Sequence, residues 1–181
     1  MRIVDCEYDR HGETILRIFN QAIASSTALY EYELRTLDNI QQWFKEKNQH
    51  EYPIHGIQND RGDLLGFSTY GNFRPFAAFQ YSVEHSVYVD VAHRRQGLGK
   101  ILLRRLIHTA QQQNYHMMIG VIDGANQISI KLHQSMKFNH CGTIRHAGFK
   151  FDRWLDLELY QLVLNDTKSS SNKNAADITI P

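Results

Sequence analysis

The stretch Val87-Tyr88-Val89-Asp90-Val91-Ala92-His93-Arg94-Arg95-Gln96-Gly97-Leu98-Gly99-Lys100 constrains the fold more than any other. Val87, Val89 and Val91 are β-branched and alternate, as in a strand with one face in a core. Gly97 and Gly99 remove Cβ atoms where the backbone of a ligand could come close. The apolar positions that follow have helical spacing. A helix therefore starts here, with its free N–H groups and the positive end of its dipole facing the loop. Arg94, Arg95 and Lys100 add cationic side chains, and together these features suit a phosphate-bearing ligand. The spacing is not that of a P-loop, because no G-x-x-x-x-G-K-[ST] is present. Leu102 stands where a dinucleotide fingerprint needs its third glycine.

Charge narrows the classes further. The 181 residues carry 20 Lys and Arg against 19 Asp and Glu, which argues against a nucleic-acid partner. Cys6 and Cys141, far apart, suggest reduced thiols and a cytoplasmic location rather than a disulfide framework. Charges at Arg2 and Asp5 interrupt what a secretory signal would keep apolar, and no run is long enough to cross a bilayer. The histidines lack metal-ligand spacing, so no metal is expected. The length suits one α/β domain, placed at residues 1–164, with a disordered polar tail over 165–181.

Read in order, Arg2 to Cys6 is a strand and His11 to Ala24 an amphipathic helix. Tyr30 and Tyr32 follow in a loop, read first as packing residues and second as pocket residues. Thr36 or Asp38 caps a second helix carrying Leu37, Ile40, Trp43 and Phe44. Pro53–Gln58 and Asp63–Tyr70 are strands joined by the tight turn Asn59-Asp60-Arg61-Gly62. The central strand spans about Val83 to Val91. The helix from Gly97 to Gln113 turns Leu98, Ile101, Leu102, Leu106 and Ala110 inward. Met117 to Ile122 fits a strand buried on both faces and parallel to the central one. Asn126 caps a helix ending near Met136, and Cys141–Ile144 with Trp154–Leu164 closes the sheet.

Arg94-Arg95-Gln96-Gly97-Leu98-Gly99 matches the Arg/Gln-x-x-Gly-x-Gly/Ala pattern of the GNAT acetyltransferases. Further agreement lies in Glu84-His85-Ser86-Val87-Tyr88-Val89, in Asn126-x-x-Ser129-Ile130-x-Leu132-His133, and in Gly148-Phe149-Lys150 followed by Trp154-x-Asp156 and Gln161-Leu162. Over nearly all of residues 2–164 the chain resembles the phosphinothricin and methionine sulfoximine/sulfone acetyltransferase subgroup. The resemblance implies a mixed, V-shaped sheet flanked by helices, and a homodimer. It also implies acetyl transfer from acetyl-CoA to the α-amine of a small amino-acid analogue such as L-methionine sulfoximine, L-methionine sulfone or phosphinothricin. A peptide N-terminus or another small amine stays open as the acceptor.

By the same resemblance, Gln96, Gly97, Leu98 and Gly99, with Arg94, Arg95 and Lys100, hold the pyrophosphate. Val87, Tyr88 and Val89 pair with the cofactor, and a bulge frees the amides of Val87 and Val89 for the oxyanion. Asn126 and Ser129 contact the pantetheine or pyrophosphate. An α-amine, with a pKa of about 8, is mostly protonated at neutral pH and benefits from a base. Glu84 corresponds to the base of the resembled enzymes, and His133 to a residue facing the thiol end. Arg74 can grip a carboxylate in two hydrogen bonds and Phe76 can pack an apolar side chain. Lys150 is expected to reach an acceptor pocket at the dimer interface, its own or a partner chain's. Two departures stand out. Lys137 replaces a helix-ending glycine, and Phe138 replaces the tyrosine that serves many of these enzymes as general acid.

Overall fold

The computed structural model describes residues 1–165. The tail expected over 165–181 falls, beyond Asn165, outside the described residues. The elements run β1 (Arg2–Asp5), α1 (Tyr8–Ser25), α2 (Leu37–Gln49), β2 (Ile54–Gln58), β3 (Leu64–Asn72), β4 (Ser82–Val89), α3 (Leu98–Gln112), β5 (Met117–Asp123), α4 (Gln127–Ser135), β6 (Asn139–Lys150) and β7 (Arg153–Val163). Single turns of 3₁₀ helix at Ala77–Phe79 and Val91–His93 flank β4. All seven strands form one sheet in the order β1-β2-β3-β4-β5-β7-β6. Only the β4–β5 pairing is parallel.

The alternation of side chains along β4 divides the core into two layers. Tyr88 packs with Phe67, Ile15, Phe19, Ile40 and Phe44, so one face of the sheet meets α1 and α2. Val83 and Val87 pack with residues of α3 on the other face, Leu103 and Leu106 for the first, Leu98 and Leu102 for the second. Even-numbered β4 residues therefore face α1 and α2, and odd-numbered ones face α3 and α4. Each large apolar side chain removed from water contributes about 1.5–3 kcal/mol.

Local chemistry sets the element ends. Thr36 caps α2 in a reciprocal box with Asn39. The Asn126 side chain accepts the Ser129 N–H at 3.1 Å. At the turn, Asn59 Oδ1 accepts the N–H groups of Arg61 and Asp63. Gly62, at φ +89°, takes a left-handed conformation that side chains disfavour. Lys137, where the resembled enzymes have a helix-ending glycine, takes the left-handed conformation itself, at φ 69°.

Three expectations are corrected. Helix α1 starts at Tyr8, because His11 Nδ1 accepts the Glu7 N–H and caps a first turn that has no apolar period. Ile101 is 41% exposed, and Leu103 takes the buried position in α3. Strand β6 is much longer than Cys141–Ile144. It is mostly exposed and shifts register twice, so no alternation marks it.

Gly66 of β3 lies against the backbone of β4. A Cβ there would sit 2.7 Å from Tyr88 O and 3.1 Å from Val89 Cα. Neither atom can move without opening the β3–β4 ladder. Gly66→Ala is expected to cost about 1–3 kcal/mol in urea denaturation, as overpacking does.

Candidate active site

The parallel contact between β4 and β5 is short. It pairs Ser82 with Met117, Val83 with Met118 and Glu84 with Ile119, and beyond these the strands diverge. A cleft of about 520 Å³ opens between them, running from Gly120 and His85 to the loop before α3. The Asp90 N–H donates to Leu65 O and the Phe73 N–H to Ser82 O, so even-numbered residues bond toward β3. The N–H groups of Val87 and Val89 therefore point at the opening. The expected bulge is absent, since β3 and β4 stay in unbroken register from Gly66↔Val89 to Asn72↔Val83. Divergence of β5, rather than a bulge in β4, frees these amides.

The loop at the far end is held from below. The buried Asp90 carboxylate accepts the Ala92 N–H at 3.0 Å and pairs with Arg17 of α1 at 2.6 Å. Arg95 and Gly97 both adopt positive φ, 63° and 77°. This turns the chain sharply into α3, where the Lys100 and Ile101 N–H groups fall on Gly97 O. The N–H groups of Leu98 and Gly99 find no carbonyl partner among the described residues and start the helix facing the cleft. Arg94, Arg95 and Lys100 line the same end, and Arg94 Nε donates to Val89 O at 3.3 Å. The site thus has a cationic, donor-rich end and a narrower end beside β5.

Val87, Tyr88, Val89, Arg94, Arg95, Gly97, Leu98, Gly99, Lys100, Asn126, Ser129 and His133 share this cleft, while Gln96 is not part of its wall. The Tyr88 ring is turned into the core against Phe19, at 5.1 Å. Glu84 sits at the hinge of the opening, on the α1 and α2 face. Burial raises its pKa above the ordinary carboxylate value, and the nearby charge of Arg74 opposes the rise. Arg74 lies over the Phe73 ring, 4.8 Å from its centre. Phe76 is 67% exposed in the same loop, outside the cleft wall.

Lys150 is corrected. It is buried, and its Nζ donates to Ile23 O, Ser26 O and Leu29 O of its own chain at 2.7, 3.0 and 2.7 Å. All three protons are used, so none is left for an acceptor. Lys150 instead caps the C-terminal end of α1.

Tyr30, read first as a packing residue and second as a pocket residue, lines the opening, and its hydroxyl pKa is pushed up to about 12 by burial and by the Asp123, Glu84 and Tyr88 charges. The sequence reading missed two further cleft residues, Asp123 and His85. Asp123, at the end of β5, binds Thr27 and Arg153, each at 2.5 Å. His85 stacks on His133, with ring centres 5.0 Å apart. The one signal for His85 was its place beside Glu84, since side chains alternate across a strand.

A chain with this split sheet and donor-rich loop belongs to the acetyltransferase (GNAT) family, whose model matches residues 16–138. It is an N-acetyltransferase. It is 41% identical, over 86% of its length and 91% of the relative's, to an L-methionine sulfoximine/L-methionine sulfone acetyltransferase of Pseudomonas aeruginosa. An acetyltransferase of Salmonella typhimurium, solved with acetyl-CoA, has a TM-score of 0.90 at 34% identity, covering 97% of this chain and 99% of its own. A phosphinothricin acetyltransferase of Sinorhizobium meliloti in complex with acetyl-CoA also has a TM-score of 0.90, at 27% identity, with 96% and 94% covered.

Replacing Lys150 leaves three backbone carbonyls without a donor. Lys150→Met is expected to lose about 3 kcal/mol or more of stability in chemical denaturation.

Proposed function

We propose that the protein transfers the acetyl group of acetyl-CoA to the α-amine of a small amino-acid analogue of the methionine sulfoximine, methionine sulfone or phosphinothricin type. The observation that carries this reading is the β4–β5 opening, with the half-buried Glu84 carboxylate at its hinge and a donor-rich loop at its far end. The 41% identity to an enzyme named for the first two acceptors supports the substrate class.

In this reading the pyrophosphate sits on the Leu98 and Gly99 amides, with Arg94, Arg95 and Lys100 neutralising its charge. Gln96 supports the loop. The pantetheine lies along the open edge of β4, near Asn126 and Ser129. The acceptor carboxylate meets Arg74, and its side chain packs on Phe76. Glu84 takes a proton from the ammonium, directly or through water. The freed amine attacks the thioester carbon, and the oxyanion is met by the Val87 and Val89 amides. As the C–S bond breaks, the electron pair leaves with sulfur, and the nitrogen's remaining extra proton passes to the thiolate, directly or through water. Phe138 has no proton to offer the thiolate.

The protein is further proposed to act as a homodimer in the cytoplasm, folded as a single domain. Exposed Ile144, Phe149 and Trp154 on the β6–β7 arm support a subunit contact. Both cysteines are unpaired, which fits a reducing compartment, and no helix among the described residues is long and apolar enough to cross a membrane.

A thiol-release assay tests the acceptor. Turnover is expected on L-methionine sulfoximine, L-methionine sulfone or phosphinothricin, and not on a peptide amine. Arg74→Ala should raise the acceptor KM by about tenfold or more while leaving the acetyl-CoA KM nearly unchanged. Turnover on the peptide alone would discard the acceptor assignment. Glu84→Gln should lower kcat by about 10²–10⁴. The base works only when ionised, so kcat/KM should rise with pH through the raised pKa of Glu84. Its acid limb lies above the ordinary carboxylate range, and Glu84→Gln should abolish that limb.

A further inference from the structure

His85 and His133 are 7% and 4% exposed, and their Nε2 atoms approach to 3.0 Å. His133 Nδ1 lies 2.7 Å from Ser129 O. A carbonyl only accepts, so Nδ1 of His133 carries the proton. In the neutral ring Nε2 is then a lone pair, and the 3.0 Å contact needs a proton from His85 Nε2. Both tautomers follow from one carbonyl. What remains is Nδ1 of His85, a buried lone pair with no partner among the described residues.

The surroundings keep the pair uncharged. Gly120 of β5 lies against it, and a Cβ there would stand 3.0 Å from His133 Nε2 and 3.1 Å from His85 Nε2. Phe138 meets both rings edge-on, at 5.4 and 5.1 Å. Tyr160 of β7 lies 6.2 Å from the His133 ring, and Ser129 flanks it on α4. None of these groups is a carboxylate, and Glu84 points to the opposite face. Burial lowers both pKa values, that of His85 to about 3 with the help of His133.

We propose that His85 is a positioning residue for acetyl transfer: it occupies the His133 Nε2 lone pair, fixes that ring in one tautomer, and makes the two histidines one neutral unit. The proposal rests on the acetyltransferase reading. His133 by itself has neither a free proton nor a free lone pair. Anything His133 contributes at the thiol end therefore depends on His85 holding its ring.

Three substitutions test this on the full-length enzyme. A Gln side chain carries an N–H donor at about the reach of Nε2, an Asn side chain reaches only as far as Nδ1, and Leu has no donor. His85→Leu should lower kcat by about tenfold, keep the acetyl-CoA KM within about twofold, and raise the pH at which His133 titrates. His85→Gln should recover most of kcat and His85→Asn should not. A folded His85→Leu enzyme with wild-type kcat overturns the proposal, as does equal impairment by all three, which would mark packing alone. Imidazole ¹⁵N shifts of the unaltered enzyme decide the matter even if the variants do not fold. His133 should be protonated at Nδ1 and uncharged from about pH 5.5 to 8. An Nε2–H tautomer, or titration in that range, overturns the assignment. This readout does not depend on turnover, so failure of the dyad and failure of the acetyltransferase reading are distinguishable.

Discussion

The parallel pairing of β4 with β5 lasts for three residue pairs, and the site exists because it stops there. A strand edge normally presents amides that seek another strand. Here the edge opens inside the protein, with α4 below it and the α1–α2 loop above. Each side of the opening then acquires its own chemistry from side-chain alternation alone. Glu84 goes to one face and His85, its neighbour, to the other. A carboxylate whose burial favours taking up a proton and a histidine pair whose burial favours staying neutral thus stand back to back across one strand.

Keeping the strands apart depends on what surrounds them. β5 pairs with β7 from Met117↔Val163 to Asp123↔Leu157, so it follows the second arm of the sheet. β4 follows β3 without a break. Gly120, the first β5 residue past the last β4 pair, gives its side-chain space to the two imidazoles. The wedge is therefore filled at its apex by polar rings rather than by aliphatic packing.

Much of this was legible in the sequence. The glycine-bearing loop, the strand before it and the helix after it are local patterns, and their periods survive in the fold. The Asn126 cap was readable from residue chemistry. What escaped notice depends on contacts distant in the chain. Lys150 looks like a free cation until its three carbonyl partners, all from residues 23–29, are known. His85 is one of ten histidines until His133 arrives beside it. Ile101 and Ile128 have helical spacing but face outward, because the surface each helix covers is set by its docking angle and not by its own period. β6 gave little signal because a largely exposed strand needs no alternation.

The Lys150 anchor has a consequence for how the molecule is assembled. The segment that walls one side of the cleft leaves α1 early in the chain. Its ties are to Asp123, to the Phe149 carbonyl through Tyr32, and to Lys150, whose bond to Ile23 spans 127 residues. On a ribosome, α1 and the loop before α3 can be complete while this wall still lacks its fastenings. The donor-rich end of the cleft is therefore built from locally encoded parts, whereas the opposite wall waits for the last hairpin to emerge. Truncation or late misfolding at the C-terminal end would spare the loop before α3 and release the wall across from it.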